Sequence, residues 1–475
     1  MKRFLGKYIG DKAFYMMVLG VLLPIIVQNG ITNFVSLLDN IMVGRIGTEQ
    51  MSGIAIVNQL LLVFNLALFG AFSGVGIFGA QFFGCKNTKG VQQTFRFKIY
   101  LCLGIVVLGI AVLLLGGEEL ILLYLHGEDN GTALAATLEY GKQYLLVMLV
   151  GLLPFGIEEA YASTLRECGE TKVPMVAGVV AVLVNLVLNA LLIFGLLGFP
   201  QLGVVGAAIA TVISRYVQMV IVVLWTHMHP EKMPFIVGVY REFKIPGQLV
   251  GNIVKRGTPL MINEVLWAAG MATLTQCYSL RGLDAVAALN ISSTVSNLFN
   301  VVFMAMGSAI AIIVGQLLGA GKMEEAKDAD TKLIAFAVFS CLGLGTILIL
   351  FAPVFPAMYN TSAEIKDLAT TLLRIAAACM PIYAFVHASY FTLRSGGKTI
   401  VTFLFDSVFL WCICIPLAFC LSRYTGLPMA PLYLCCQLVD LIKKDEVPFD
   451  LNGSVIMHTA FSDAGIAPTT SSKVE

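Results

Sequence analysis

The chain has 475 residues, of which 58% are hydrophobic and only 12% charged, and its net charge is +1. A water-soluble domain carries roughly a quarter charged residues, so lipid is the solvent this composition fits, and the near-neutral balance excludes the basic footprint of a nucleic-acid binder. The eleven cysteines are scattered, mostly in apolar runs, and form no C-x-x-C pair, which argues against a zinc or redox motif.

The N-terminal stretch MKRFLGKYIGDK is basic and leads into an apolar run. That run is too long for a signal-peptide core and has no small-residue cleavage site, so it reads as a retained first membrane helix. A spanning helix needs ~20 mostly apolar residues. Twelve stretches qualify, at 14–38, 51–82, 97–116, 140–164, 175–198, 203–226, 257–280, 285–318, 332–352, 369–393, 399–421 and 428–443. The last is short and carries Pro431. From 444 to 475 the sequence turns polar and rich in Pro, Gly, Ser and Thr, which reads as a disordered tail.

Lys and Arg orient the spans. With the N-terminus cytoplasmic, most of the 30 basic residues fall on the cytoplasmic side, among them Lys86, Lys89, Arg96, Lys98, Lys232, Arg241, Lys244, Lys255 and Arg256. The outer loops and adjoining helix ends hold Arg45, Lys142, Arg281, Lys366, Arg374 and Arg423. This bias is the positive-inside pattern. The outer loop at 117–139 carries Glu118, Glu119, Glu128 and Asp129.

The chain repeats itself. TLRECGET (164–171) returns as TLRSGGKT (392–399), with five of eight residues identical. GAQFFG (79–84) returns as VGQLLG (314–319), and LP at 23–24 aligns with TP at 258–259 at the same offset. Span n therefore matches span n+6. An offset of six spans, an even number, keeps both copies in one orientation, so the repeat is parallel, about an axis along the membrane normal. The expected organisation is an N-terminal six-helix lobe at 1–226, a cytoplasmic linker at 227–256, a C-terminal six-helix lobe at 257–443 and the tail at 444–475. Taken locally, LRxxGxT is a helix stop with a basic turn. Its recurrence in equivalent halves gives it weight, because two matching lobes are a common basis of alternating access.

Ionisable groups within spans are costly and mark function. Asp39, at the outer end of span one, reads either as an interfacial cap or as a cation-binding carboxylate. Asn185 and Asn189 lie one turn apart on span five and share a face; they read as packing glue or as ligands. Glu158 and Glu159 sit two turns inside span four. One is expected to face a cavity and the other to pair with Arg166, with Glu159 assigned to the cavity because its repeat position carries His387. Glu264 follows Pro259 on span seven, where the missing N–H leaves free carbonyls, and is the strongest ion-site candidate of the second lobe. His387 is of a residue type whose ordinary pKa lies near physiological pH, but a lone histidine is more often a satisfied interior group. Arg215, mid-span on helix six, reads as the partner of one of these acids, and Asp406 as balancing a base near the cytoplasmic face. Trp267, Tyr278, Phe299 and Phe303 add aromatic surface suited to a flat cation.

Taken together, LPIIVQNGITNFVSLLDNIMVG, GAQFFG and VGQLLG, the paired LRxxGxT stops, GVVGAAIATVISR and GTPLMINE resemble the multidrug and toxic compound extrusion (MATE) family over residues 10 to 443. The resemblance implies an all-α integral membrane fold of twelve helices in two pseudo-symmetric six-helix lobes, V-shaped around a central cavity. It implies an antiporter that exports organic cations or amphiphiles in exchange for H+ or Na+, needing no cofactor beyond the coupling ion. On this reading Asp39, Asn185, Asn189 and Thr211 form the ion site of the first lobe, with a possible Na+ at Asp39, Asn185 and Asn189, and Glu264 is the acid of the seventh helix. The cargo cavity takes Glu158, Glu159, Trp267, Tyr278, Tyr383 and His387.

Two departures bear on coupling: many relatives carry Asp where this chain has Asn189, and the acid expected on the tenth helix in sodium-coupled relatives is missing, its register falling near Tyr383. The twelfth helix also stops early, at Lys443. The competing reading is a flippase for a lipid-linked oligosaccharide. Its cavity needs several buried basic residues to hold pyrophosphate, whereas here only Arg215 lies deep and acids dominate. An intramembrane enzyme is disfavoured, because H-E-x-x-H and G-x-S-x-G motifs are absent. The expected protein is a monomer in the cell membrane that binds small cations and lipid, not nucleic acid.

Overall fold

In hydrocarbon every backbone N–H and C=O needs an internal partner, which restricts a spanning chain to helices or a closed barrel. The computed structural model describes residues 8–44, 47–124, 131–359 and 361–439, and all regular structure among them is helical. In chain order the helices are α1 (Lys12–Gly44), α2 (Thr48–Gly84), α3 (Thr88–Tyr124), α4 (Gly131–Val150), α5 (Leu152–Glu167), α6 (Lys172–Phe194), α7 (Gly203–Met228), α8 (Gly247–Ser279), α9 (Leu283–Gly319), α10 (Met323–Phe351), α11 (Ala363–Ser395), α12 (Thr399–Tyr424) and α13 (Met429–Val439). Among the described residues nine helices are long and apolar enough to cross a bilayer, or ten if α4 and α5 count as one bent span. Helices α8 and α13 fall on the two remaining expected spans.

The helices depart from the sequence reading where sterics or solvation override hydropathy. The fourth span is broken by 46° between α4 and α5. Pro154 lacks an N–H and its ring crowds the carbonyl four residues back, so the helix yields at Gly151. Helix α3 continues through Glu118 and Glu119 to Tyr124, so the outer loop is shorter than the sequence suggests; Glu118 accepts from Lys142 of α4 at 2.7 Å. Helix α8 begins well before the expected span, at Gly247, which shortens the linker. Helix α12 is wound as π-turns over Leu404–Val408 and Leu410–Cys414. The 444–475 tail lies outside the described residues.

The chain divides into two units. The first comprises residues 23–79 and 87–253; the second comprises residues from Val254 onward together with Ala80–Lys86 and the start of α1 up to Leu22. The start of α1 joins the second unit through Tyr15, whose ring lies 5.2 Å from that of Phe336, and Phe14, whose ring faces Lys332. The first unit has an apolar core around Leu68, Leu152 and Ile193, and the second around Leu372, Leu432 and Ala418.

The repeated motifs share a backbone device. Gly169 (φ 83°) and Gly397 (φ 78°) occupy the left-handed region just past α5 and α11. The N–H of Gly169 bonds to the Arg166 carbonyl and that of Glu170 to Leu165; Gly397 and Lys398 bond in the same way to Arg394 and Leu393. This is one glycine C-cap formed twice, once in each copy, and it accounts for the glycine that both copies of LRxxGxT share.

Candidate transport site

Each unit carries polar groups inside its helices, which must find partners there or serve a ligand. In the first unit, Asn185 and Asn189 are buried on α6. Asn189 Nδ2 donates to Asn185 Oδ1 at 3.1 Å, Asn185 Nδ2 donates to Thr211 Oγ1 at 3.3 Å, and Thr211 Oγ1 donates to the Ala207 carbonyl at 3.0 Å. The three residues named from the sequence therefore form one chain of hydrogen bonds across α6 and α7. Asp39 belongs to α1, but its side chain lies outside the described residues.

Helix α5 carries a second set. Arg166 Nη1 lies 3.0 Å from Glu159 Oε1, two helical turns away on the same face. This reverses the sequence assignment: Glu159 is the partner of Arg166, and Glu158 is the buried acid beside it, 3% exposed, with its Oε1 unbonded. The helical register decides this, because residues seven apart face the same way whereas residues eight apart are rotated by a further 100° or so. Arg215 takes no carboxylate among its described contacts. Its Nη1 donates to the Gly151 carbonyl at 3.3 Å, at the α4–α5 break, and the guanidinium lies 4.9 Å from the Phe155 ring centre.

A further buried ion pair of the unit was not legible as one. Lys98 is fully buried on α3, and its Nζ donates to Glu167 Oε1 at 2.5 Å, Ser163 Oγ at 3.0 Å and Thr164 Oγ1 at 3.1 Å. All three ammonium protons are thereby used. Gly76 and Gly79 of α2 make room for the acid: a Cβ on either would stand 2.5 or 2.2 Å from a Glu167 oxygen. The first glycine of GAQFFG is thus accounted for by a carboxylate on another helix, α5.

In the second unit α8, α11 and α12 converge. Glu264 Oε1 lies 3.7 Å from Arg394 Nη1. The Arg394 guanidinium lies against the rings of Tyr390 (5.9 Å) and Phe391 (5.1 Å). Next to Glu264, Asn263 is 1% exposed and connects the three helices. Its Nδ2 donates to Asp406 Oδ2 at 2.9 Å and lies 3.4 Å from the Tyr390 hydroxyl, and its Oδ1 accepts from Ser407 Oγ at 2.7 Å. Asp406 and Ser407 lie in the π-turn of α12, a distortion that recurs at functional sites. Asp406 thus accepts from the Asn263 amide. Asn263 was missed; its position beside Glu264 after Pro259 was the available signal.

The proposed cavity aromatics divide. The His387 ring sits among Phe303, Tyr390 and Phe391, with ring centres 5.3, 6.4 and 4.9 Å away. Gly307 keeps that space open, since a Cβ there would come within 2.8 Å of the His387 ring. Tyr383 donates to Gln437 of α13. Tyr278 is buried in the apolar core against Tyr433. Trp267 is 39% exposed on α8, and Phe299 packs on Phe355. Asp330, one of a run of charges at the start of α10, accepts from Thr392 Oγ1 at 2.5 Å. Among the described residues no three His, Cys, Asp or Glu side chains gather as metal ligands.

The MatE family model matches this chain twice, over residues 24–191 and 259–420. The chain belongs to the MATE family. The two matches start at Pro24 and Pro259, the prolines of the aligned LP and TP pairs, so they follow the repeat. Among curated relatives, a protein named probable multidrug resistance protein NorM, from Thermotoga maritima, is 24% identical over 85% of this chain and 84% of its own length. The YoeA protein of Bacillus subtilis, named a probable multidrug resistance protein, is 25% identical over 86% of both chains. A solved outward-facing multidrug resistance MATE transporter of the MOP superfamily superposes with a TM-score of 0.83 at 20% identity, covering 96% of this chain and 98% of its own. A MOP superfamily transporter from Pyrococcus furiosus, described by a reverse polarity of its binding pocket, superposes with a TM-score of 0.80 at 18% identity, covering 97% of both chains. The protein is thus an all-α, multi-pass membrane transporter with the twelve-helix, two-lobe MATE fold, not an enzyme.

Proposed function

We propose that this MATE protein is a secondary active antiporter that exports organic cations or amphiphilic drugs in exchange for H+ or Na+ by alternating access. In this reading the lobes are 1–226 and 257–443, joined by 227–256, and the protein works as a monomer in the cell membrane with its N-terminus in the cytoplasm. The observation that carries the proposal is one cluster of acids or amides inside each unit. Asn185, Asn189 and Thr211 share hydrogen bonds in the first, and Glu264, Asn263 and Asp406 converge in the second. Asp39 joins the first cluster by family resemblance. The second cluster brings two carboxylates, Glu264 and Asp406, to one amide, an arrangement suited to a cation or proton. Glu158 is the acid assigned to cargo, because Glu159 is already neutralised by Arg166.

The names of the NorM and YoeA relatives support drug efflux over transport of a lipid-linked oligosaccharide. Arg394 is paired with Glu264 and Arg215 with a carbonyl, so neither is arranged for a phosphate. The test is efflux of fluorescent cations in proteoliposomes under imposed Na+ or H+ gradients. The double variant Asp39→Asn, Glu264→Gln should insert normally and lose gradient-driven transport; full transport by that variant rejects the coupling assignment.

A further inference from the structure

The first unit has an apolar groove outside the polar clusters. Helices α3 and α7 each pack on α5, and between them α5 forms a floor with Ile157 and Tyr161. Leu103 of α3 and Val220 and Leu224 of α7 form the walls, and Tyr240 of the linker closes one end. The volume of this open groove is about 410 Å³, within the range of small-molecule sites, roughly 300–1,000 Å³.

The polarity of the groove is graded along its length. The walls are hydrocarbon and carry no charged side chain. At the closed end the Tyr161 hydroxyl, itself buried, bonds to His227 Nε2 at 3.1 Å and to the Tyr240 hydroxyl. The linker holding Tyr240 is pinned to α3: Gln92 donates to the Val237 carbonyl at 2.7 Å, Arg96 to Val239 at 2.5 Å and Tyr100 to Phe243 at 3.0 Å. Exposed Arg241, Glu242 and Lys244 follow Tyr240, and Glu242 lies 3.7 Å from Arg96, which leaves the two cations to the headgroup.

The mouth opens on the membrane side. Leu103, Val220 and Leu224 are 45%, 44% and 55% exposed and continue into the exposed Val107 and Leu108 of α3 and Met228 of α7. Both helices are bilayer-spanning by length and composition. Exposed apolar side chains on such helices suit acyl chain as the adjoining medium, and an apolar groove open to that medium accepts a methylene chain that fits. Burying each methylene is worth about 0.8 kcal/mol relative to water; in the bilayer that term largely cancels, leaving van der Waals packing as the source of affinity.

We infer that this groove binds one acyl chain of a membrane phospholipid, with the phosphate at the Tyr161–His227–Tyr240 end beside Arg241 and Lys244. The chain fills the space beneath Tyr240 and completes the seat of the linker against α3 and α5. Hydroxyls and two cations at one end, with hydrocarbon along the rest, match a phospholipid end to end; a compact organic cation would leave its charge among Leu and Val. The inference stands apart from the coupling ion and from the proposed cargo site.

The test uses the full chain in vesicles of phosphatidylethanolamine and phosphatidylglycerol, with a fraction of the phosphatidylglycerol carrying a diazirine on one acyl chain. After irradiation, mass spectrometry should place label on residues 99–103 and 219–224 several-fold above the largely exposed stretch 107–115 of α3. Val220→Trp and, separately, Leu224→Trp fill the groove from lipid-facing positions and should each cut that label at least fivefold. Leu115→Trp, on α3 but outside the groove, should leave it unchanged. Label no higher than at 107–115, or label indifferent to both tryptophans, overturns the inference. Displacement of the label by a transported fluorescent cation also overturns it, and would make the groove a cargo vestibule.

Discussion

Replacing Lys98 by Met tests whether the buried pair on α3 holds the first unit together. Lys98 is fully buried and gives all three donors to Glu167, Ser163 and Thr164, and the Glu167 side chain is 12% exposed. Methionine keeps most of the stem volume and removes the ammonium, so the change isolates charge from packing. Removing one partner of a buried pair leaves an uncompensated charge and costs roughly 3–5 kcal/mol, whereas replacing both partners by apolar or neutral groups is often near neutral. Here the upper part of that range is expected for Lys98→Met, because the carboxylate lies against the glycine faces of α2 and its side chain is only 12% exposed. Lys98→Met with Glu167→Gln should recover most of the loss. The assay is thermal unfolding of the detergent-purified protein, with size-exclusion profiles to count folded material. If Lys98→Met alone leaves the melting temperature unchanged, or the double variant is as unstable as the single one, the pair is not what holds α3, α5 and α2 together.

Two further outcomes follow from the clusters. Glu159→Gln should destabilise by stranding Arg166, while Glu158→Gln should leave stability unchanged or raised and weaken cation binding in a fluorescence titration; the opposite pattern restores the sequence-based assignment. Asn263→Leu should cost about 1–3 kcal/mol, the penalty for leaving buried partners unsatisfied, read as a lowered melting temperature, and should reduce transport by displacing Asp406 and Ser407 from beside Glu264.

Helices were the most legible feature, because apolar runs of bilayer length have few alternatives in lipid. Their ends were less so. Glu118 and Glu119 looked like loop, yet α3 carries them, since a helix can continue past the apolar core when its charges reach water or a partner such as Lys142. The bend at Gly151 was written in Pro154 but passed unread inside an apolar run. Among site residues, the Asn185–Asn189–Thr211 chain was accessible, two members by one-turn spacing and one by resemblance. Lys98 and Glu167 were not. A basic residue near a cytoplasmic helix end satisfies the positive-inside bias, so its charge seemed already explained, and nothing local indicates a partner two helices further along the chain. Glu159 was misassigned for a related reason: repeat equivalence with His387 was weighed above the helical register that sets which acid Arg166 can reach.

The duplicated GAQFFG and VGQLLG segments carry the last prediction. Sequence alignment made them equivalent, but not neighbours. In the second unit they meet: a Cβ on Gly84 would stand 2.0 Å from the Gln316 carbonyl oxygen, and a Cβ on Gly319 would stand 2.0 Å from that of Gln81. Each glycine therefore packs on the backbone of the other copy, as small residues do where membrane helices approach closely. Gln81 also donates to the Ser395 carbonyl at 3.1 Å, tying the crossing to the end of α11. Backbone cannot swing aside as a side chain does, so Gly84→Ala and Gly319→Ala should each force the helices apart, at roughly the 1–3 kcal/mol typical of overpacking. The two sites share one crossing. Once the first methyl has separated the helices, the second enters space already opened, so the double variant should lose clearly less than the sum of the singles, as expected for residues in contact. Melting temperatures of the three variants in detergent read this directly. Additive losses, or a single alanine without effect, would mean that α2 and α9 do not cross at these glycines, and the repeat would then need another explanation.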